Sequence, residues 1–281
     1  NTRHALANHL DAMSNPWTDI LSPKFITDIC GHDQVRTISN ACMESGRLPC
    51  MLFYGPPGTG KTCTARAIVR SLSKFHTPSS FRGGDFEYTK TMASVSLLEI
   101  NASDKRTFGD VVNTIGRKYI PSTSSDINLT VVLVDEADSM TEAGQRELGN
   151  LISKCEREWY NNNTRLSFII CCNNASKITS HLYSQCLCIE FLAPSASDIC
   201  AWLSSRLEVL GWIVDGNSKK LLELVSSSGS AANGGIDLRH VVNLVQSSAS
   251  SRLYSIMSRI EQNQEQVGDY RFINLFESDN T

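Results

Sequence analysis

An eight-residue run, Gly55-Pro56-Pro57-Gly58-Thr59-Gly60-Lys61-Thr62, limits what this chain can fold into more than any other stretch. It is entered directly from the apolar segment Met51-Leu52-Phe53-Tyr54 and runs into a helix-forming segment, Thr64 to Leu72. The pattern G-x-x-x-x-G-K-[ST] between a strand and a helix is that of a phosphate-binding loop. Its glycines let successive backbone N–H groups point at phosphate oxygens with no Cβ in the way. The helix that follows presents the positive end of its dipole to the same anion. Lys61 is placed to reach the β- and γ-phosphates, and the Thr62 hydroxyl to hold Mg²⁺. Gly55, Pro56, Pro57, Gly58, Thr59, Gly60, Lys61 and Thr62 are therefore the candidate nucleotide-binding residues.

The rest of the chain supplies the strands and helices such a loop needs. Val95–Ile100 reads as a strand running into the helix-start signal Asn101-Ala102-Ser103-Asp104, with Val111, Val112, Ile115 and Tyr119 on the helix after it. Leu129–Val134 is nearly continuous in apolar residues, the mark of a strand buried on both faces of a parallel sheet. A helix from Glu142 to about Tyr160, a strand over Leu166–Cys172 and a last strand near Leu187–Phe191 complete the alternation. Upstream, Val35, Ile38, Ala41 and Cys42 share one face of a helix that Gly46 stops, and residues 1–15 read as a loose arm or short helix. Residues 73–94 form an unpatterned excursion. Beyond Pro194 only helices are expected, near 196–209, 218–227 and 237–248, with breaks at Gly211 and at Gly229–Gly235. Strands alternating with helices imply a parallel sheet covered on both sides. The expected fold is α/β, a P-loop NTPase core with a five-stranded parallel sheet over residues 1–193. A small α-helical lid follows over 194–250, and 251–281 form a tail or the start of another domain.

Bulk properties remove several function classes. No apolar run approaches the length of a membrane span, and the N-terminus carries no signal-peptide pattern. The chain begins without Met, which reads as a processed or trimmed end. A formal net charge of −3 argues against a freestanding nucleic-acid binder. The ten cysteines form no C-x-x-C pair and histidine is scarce, so no zinc site is expected. Cys171, Cys172 and Cys200 sit in apolar segments, as reduced thiols of a cytosolic or nuclear protein do.

A phosphate-binding loop alone implies a nucleotide, not hydrolysis. Val131-Val132-Leu133-Val134-Asp135-Glu136 adds the second half. Its strand delivers Asp135 to the carboxyl edge of the sheet, where open α/β folds bind ligands. There Asp135 can support the Mg²⁺ shell, directly or through water, and Glu136 can deprotonate an attacking water. Asn173 ends the next strand at the same edge, either as an amide holding that water or as a turn residue. Arg239, off the apolar face of a lid helix, either reaches back to the γ-phosphate or is a surface charge.

Taken in order, these motifs resemble a known family. Trp17, Ile29-Cys30-Gly31-His32-Asp33-Gln34-Val35, Glu44-Ser45-Gly46-Arg47-Leu48-Pro49, the Gly55–Thr62 loop, Leu98-Glu99-Ile100-Asn101-Ala102-Ser103-Asp104, Asp135-Glu136-Ala137-Asp138, Cys172-Asn173, Ser176-Lys177-Ile178 and Asp237-Leu238-Arg239 follow one another as in the small subunits of replication factor C clamp loaders, of the AAA+ class. The resemblance spans roughly residues 16–246. It implies ATP and Mg²⁺ as ligands, Asn173 as a first sensor and Arg239 as a second. It also implies an adenine pocket around Ile29, Cys30 and Gly31, with Trp17 among the nucleotide-binding residues. Glu136, Lys61, Asn173 and Arg239 are then the catalytic candidates. The implied partners are other clamp-loader subunits in a hetero-pentameric ring, a sliding clamp and primer-template DNA held weakly through its backbone, with no membrane, in the nucleus (the cytosol in a non-eukaryote).

Departures from the family pattern carry expectations of their own. The family's Ser-Arg-Cys, whose Arg acts on the neighbouring subunit's nucleotide, is Ser184-Gln185-Cys186 here. An arginine finger can contribute ~10³–10⁵ in rate and a neutral Gln does not replace its charge. The expectation is a subunit that binds and hydrolyses its own ATP without activating a neighbour. Leu148-Gly149-Asn150 replaces Leu-Arg-Arg, and Lys105 stands where an acid is usual, which weakens the expected DNA contact. Residues 251–281 are too short for the family's helical collar. The leading expectation is an ATPase subunit of a clamp loader. A non-hydrolysing scaffold subunit and another AAA+ machine are the alternatives.

Overall fold

Alternation along the strands decides the architecture of the nucleotide-binding half. In the computed structural model, which describes residues 2–45, 47–75, 94–104, 128–161, 165–214, 219–228, 236–262 and 270–276, five parallel strands form one sheet. They are β1 (Met51–Tyr54), β2 (Ser94–Asn101), β3 (Asn128–Asp135), β4 (Arg165–Cys172) and β5 (Leu187–Glu190). Their order is β2-β3-β4-β1-β5, all pairs parallel. Leu52, Val132, Val134, Phe168 and Ile170 point to one face, while Met51, Phe53, Val131, Leu133 and Ile169 point to the other. Both sets are buried, so each face requires a helical cover.

The long helix α5 (Glu142–Asn161) covers the first face with Leu148, Leu151, Ile152 and Cys155. Helices α3 (Asp33–Ser45) and α4 (Lys61–Phe75) cover the second with Val35, Cys42, Ala65, Ile68, Val69 and Leu72. Phe168 and Phe53 are fully buried, each worth ~1.5–3 kcal/mol relative to exposure. Buried Gln145 of α5 secures the chain just after β4: its amide donates to Lys177 O at 2.9 Å and accepts from Thr179 N at 2.7 Å. The short helix α6 (Ser180–Ser184) follows, capped by the Thr179 hydroxyl. The helix expected after Asp104, the stop at Gly46, the break at Gly229–Gly235, Lys105 and most of the excursion over 73–94 lie outside the described residues. Ser73–Phe75 belong to α4.

Arg66 of α4 and Glu99 of β2 form a bidentate pair, with Nε–Oε1 at 2.9 Å and Nη2–Oε2 at 2.7 Å. Hydrogen bonding to Arg66 holds the Glu99 carboxyl below its ordinary value. A depressed folded-state value means stability that is present above the unfolded value of 4.5 and lost as pH falls through the folded one. Both side chains are more than a third exposed, 38% and 42%, which limits the pair to within about 1 kcal/mol. Glu99→Gln is expected to lower stability by no more than ~1 kcal/mol at pH 7 and to leave it nearly unchanged at pH 3. Urea titrations at the two pH values check this.

The second unit is helical. The chain divides into Pro23–Leu192 on one hand and Asn1–Ser22 with Ala193–Thr281 on the other. This differs at the N-terminus from the expected core over 1–193. Residues 2–14 form helix α1 (Thr2–Ser14), followed by the short α2 (Trp17–Ile20). Fully buried Trp17 lies 6.2 Å from Trp212 between ring centroids. Its indole N–H donates to Ala12 O, and its backbone N–H to the Gln246 side chain. Packing against residues more than 190 positions away thus ties the arm to the C-terminal half.

Helices α7 (Ala196–Val209), α8 (Lys219–Ser227) and α9 (Leu238–Glu261) make up the rest. Asp237 caps α9 through its side chain, and the helix runs on past the expected end near 248 because Val241, Val242, Val245, Ala249, Leu253 and Ile256 keep one buried stripe. Beyond Pro194 the unit also contains two strands, β6 (Trp212–Ile213) and β7 (Ile273–Asn274), paired in parallel. Gly211, at φ 81°, begins that ribbon; a Cβ there would meet Arg271 O at 2.8 Å and His9 at 2.7 Å. Each strand is two residues long, too short for a period to show in sequence.

Candidate nucleotide-binding site

The loop Gly55–Thr62 joins β1 to α4 at the carboxyl edge of the sheet. Gly55, Gly58 and Gly60 all have positive φ, at 142°, 75° and 91°, the conformations for which glycine carries no Cβ penalty. The Lys61 ammonium turns back onto the loop, donating to Gly55 O and Pro56 O at 2.7 Å each. Burial lowers its pKa, opposed by the surrounding Asp135 and Asp138 among others. Neither of its hydrogen-bond partners is a carboxylate, so no ion pair competes with an incoming phosphate for the ammonium. The Thr59 hydroxyl closes the loop on Pro56 O at 2.9 Å.

Strand register brings the other candidates to the same edge. Tyr54 pairs with Cys172, Val134 with Ile170 and Asn101 with Asp135. Gly55, Asn173 and Glu136 are therefore the first residues past the ends of three adjacent strands. The Thr62 hydroxyl donates to Asp135 Oδ2 at 2.8 Å across 73 residues of sequence. The Asp135 Oδ1 accepts from the Glu136 N–H at 2.9 Å. Glu136 itself is left-handed, at φ 56° and ψ 38°, an uncommon conformation for a non-glycine residue that clusters at functional sites. Its carbonyl accepts from the Ser139 hydroxyl at 2.7 Å, and its exposed carboxylate engages none of the described residues. The Asn173 backbone N–H donates to Asp138 Oδ1 at 3.4 Å, leaving its side-chain amide exposed.

A hydroxyl and a carboxylate in mutual contact beside a buried ammonium fit Mg²⁺ bound with a polyphosphate, since both are hard oxygen donors. Cys171 and Cys172 pass under the loop as packing groups; burial pushes both thiols up, Cys172 to about 12. All ten cysteines are free, and among the described residues no helix is long and apolar enough to cross a membrane.

Ile29 and Cys30 are buried in the same unit as the loop, and the Arg36 guanidinium donates to Ile29 O. Trp17 and Arg239 belong to the helical unit: Trp17 is enclosed there, and Arg239 is exposed at the second position of α9, its N–H on Asp237 Oδ1 at 2.8 Å. Gln185 caps the end of α6, its Oε1 accepting from Ser153 of α5 at 2.6 Å. Gly149 is where the His181 ring lies against α5, 2.8 Å from where a Cβ would stand. Two residues near the loop had no assigned role in sequence. His32 bonds Thr59 O, and the Phe191 ring packs at a tilt against His32 and Phe53, with centroids 4.3 Å and 4.8 Å away. A Gly-His pair ahead of a helix was the only local signal for the first of them.

Residues 51–193 match the family described as ATPase family associated with various cellular activities (AAA). The chain is 30% identical over 249 residues to a probable replication factor C subunit 5 of Caenorhabditis elegans, covering 85% of this chain and 60% of that protein. It is 32% identical over 235 residues to replication factor C subunit 3 of Saccharomyces cerevisiae, with coverages of 83% and 59%. With the replication factor C small subunit of Methanocella arvoryzae the identity is 29% over 234 residues, with coverages of 83% and 63%. The chain thus spans about three-fifths of the length of these curated relatives. Among solved structures, the Aeropyrum pernix Orc1 protein in complex with DNA aligns with a TM-score of 0.55 at 16% identity, over 87% of this chain and 69% of that one. A Thermotoga maritima RuvB variant aligns with a TM-score of 0.58 at 13% identity, over 85% and 68%. At these identities the structural likeness speaks to the fold.

Proposed function

Because the chain belongs to the AAA family of ATPases, we propose that it binds ATP with Mg²⁺ on the Gly55–Thr62 loop and hydrolyses it as one subunit of a clamp-loading complex. The observation that carries this reading is the Thr62–Asp135 hydrogen bond. It brings an Mg²⁺-binding hydroxyl and carboxylate to one point, with Lys61 on the loop and Glu136 unengaged beside it.

In this reading Lys61 moves from its loop carbonyls onto the β- and γ-phosphate oxygens. Thr62 and Asp135 would hold Mg²⁺, which would neutralise negative charge on the phosphates. Glu136 takes a proton from the attacking water, whose oxygen bonds to the γ-phosphorus as the bond to ADP breaks. The Asn173 amide orients that water, and Arg239 is the second-sensor candidate that the family resemblance implies. Ile29 and Cys30 line the base, and Trp17 acts through the packing of its own unit. Replication factor C relatives and the motif order support a hetero-pentameric ring, a sliding clamp and primer-template DNA as partners, in the nucleus. The net charge of −3 limits the DNA contact to a few backbone interactions.

Gln185 supports a one-sided role within the ring. Tethered to Ser153 and uncharged, it does not supply a cation to a neighbour's nucleotide. In the reconstituted complex, ATP turnover is expected to rise on adding clamp and primed DNA. Adding Gln185→Arg is expected to raise it further, through the adjacent subunit's site. Turnover insensitive to clamp and DNA would remove the clamp-loader reading, and an unchanged rate with Gln185→Arg would remove the one-sided role.

A further inference from the structure

We propose that His32 is a positioning residue of the phosphate loop, fixing the Thr59–Gly60 peptide so that the Gly60 N–H faces the bound phosphates. The inference rests on the nucleotide reading above.

The His32 Nε2 lies 3.1 Å from Thr59 O. A carbonyl only accepts, so Nε2 carries the proton and donates. Among the described residues no peptide bond is cis, and in a trans peptide the C=O and the following N–H point in opposite directions. Holding Thr59 O against the imidazole therefore turns the Gly60 N–H away from His32, into the concavity that a phosphate-binding loop builds from its N–H groups. An external anchor is needed there because Gly60, at φ 91°, has no side chain of its own to hold the peptide. Gly60 O is committed to the first turn of α4, accepting from Thr64 N at 2.8 Å. The peptide on its N-terminal side has His32 as its anchor among the described residues.

The imidazole is itself held. Gly31 and His32 are consecutive left-handed residues, at φ 68° and 58°, which turn the ring out of the Ile29–Gly31 segment toward the loop. The ring packs against Phe191, with centroids 4.3 Å apart and planes inclined by 39°. Phe191 is fully buried, and its N–H donates to Tyr54 O at 2.7 Å. Its carbonyl oxygen lies 2.3 Å from where a Cβ on Gly55 would stand. His32 and Phe191, packed against each other, thus meet the loop at Thr59 and at Gly55. Burial lowers the His32 pKa, with Arg36 acting in the same direction and the Thr59 carbonyl and Asp33 opposing.

Three substitutions separate the donor from the ring. His32→Gln retains an amide donor of similar reach, His32→Phe keeps the ring on Phe191 without a donor, and His32→Ala removes both. The full chain, alone and in its complex, is titrated with MgATP, and its KM and kcat are compared along with its thermal midpoint. His32→Ala and His32→Phe are expected to raise Kd and KM for MgATP about five- to tenfold, as for one lost positioned hydrogen bond. Their kcat should stay within about twofold, and His32→Gln should bind within about twofold of the parent. Parent-like binding by His32→Phe, or Ala-like binding by His32→Gln, overturns the proposal; should the Ala variant fail to fold, that pair decides. A parent chain that binds no MgATP, indistinguishable from its Lys61→Ala variant, overturns the nucleotide reading itself.

Discussion

Replacing Glu136 by Gln is expected to reduce ATP turnover by ~10²–10⁴-fold, the contribution of a positioned general base, while MgATP binding stays within a few fold of the parent. The side chain keeps its length and hydrogen-bonding reach but loses the basic oxygen. The backbone at this position is set independently of the carboxylate. Its N–H is on Asp135 Oδ1, its carbonyl is on the Ser139 hydroxyl, and its φ of 56° is determined by that turn. The substitution therefore leaves the loop, Lys61 and the Thr62–Asp135 pair in place. Single-turnover hydrolysis and equilibrium binding, both in the assembled complex, separate chemistry from affinity. Undiminished hydrolysis would take the base role from Glu136, and lost binding would show that the carboxylate acts on the ground state.

The second large effect is structural. Gly55→Ala is expected to cost on the order of 3–5 kcal/mol, combining backbone strain of ~1–3 kcal/mol with overpacking of similar size. At φ 142° a side chain is strained whatever the space, and the new Cβ would stand 2.3 Å from Phe191 O. That oxygen cannot retreat cheaply. Phe191 is fixed by its N–H on Tyr54 O and by its ring between Phe53 and His32. A thermal midpoint lower by roughly 6–20 °C is expected for a chain of this size. Gly60→Ala is the comparison, because φ is 91° there but the nearest atom to a new Cβ is the Thr64 hydroxyl oxygen at 3.9 Å. It should lose less stability than Gly55→Ala. Equal losses would mean that the Phe191 contact does not determine the identity of residue 55.

These two residues illustrate different degrees of legibility. The candidacy of Glu136 could be read from sequence because it depends on neighbours in the chain: an apolar strand ends, and the next two side chains are acids. Gly55 was readable as a loop glycine. Its intolerance of a Cβ was not, because Phe191 lies beyond strands β2 to β5 and the helices between them. The same holds for Trp17, which reads naturally as part of the segment leading to the core. It is enclosed in the helical unit because Trp212 and Gln246 complete its surroundings.

By itself the sequence determined the five parallel strands, their helical covers and the phosphate-binding loop. Each is encoded locally, in apolar period, in glycine placement and in the charge that ends a strand. The tertiary structure alone decided the strand order β2-β3-β4-β1-β5 and the meeting of Thr62 with Asp135. It also decided the anchoring of Thr59 by His32 and the return of residues 270–276 and 2–22 to the C-terminal helices. The reason is physical. Hydrogen-bond geometry and side-chain period act over a few residues, whereas these contacts depend on which distant surfaces are buried together, and a local pattern carries no record of its partner.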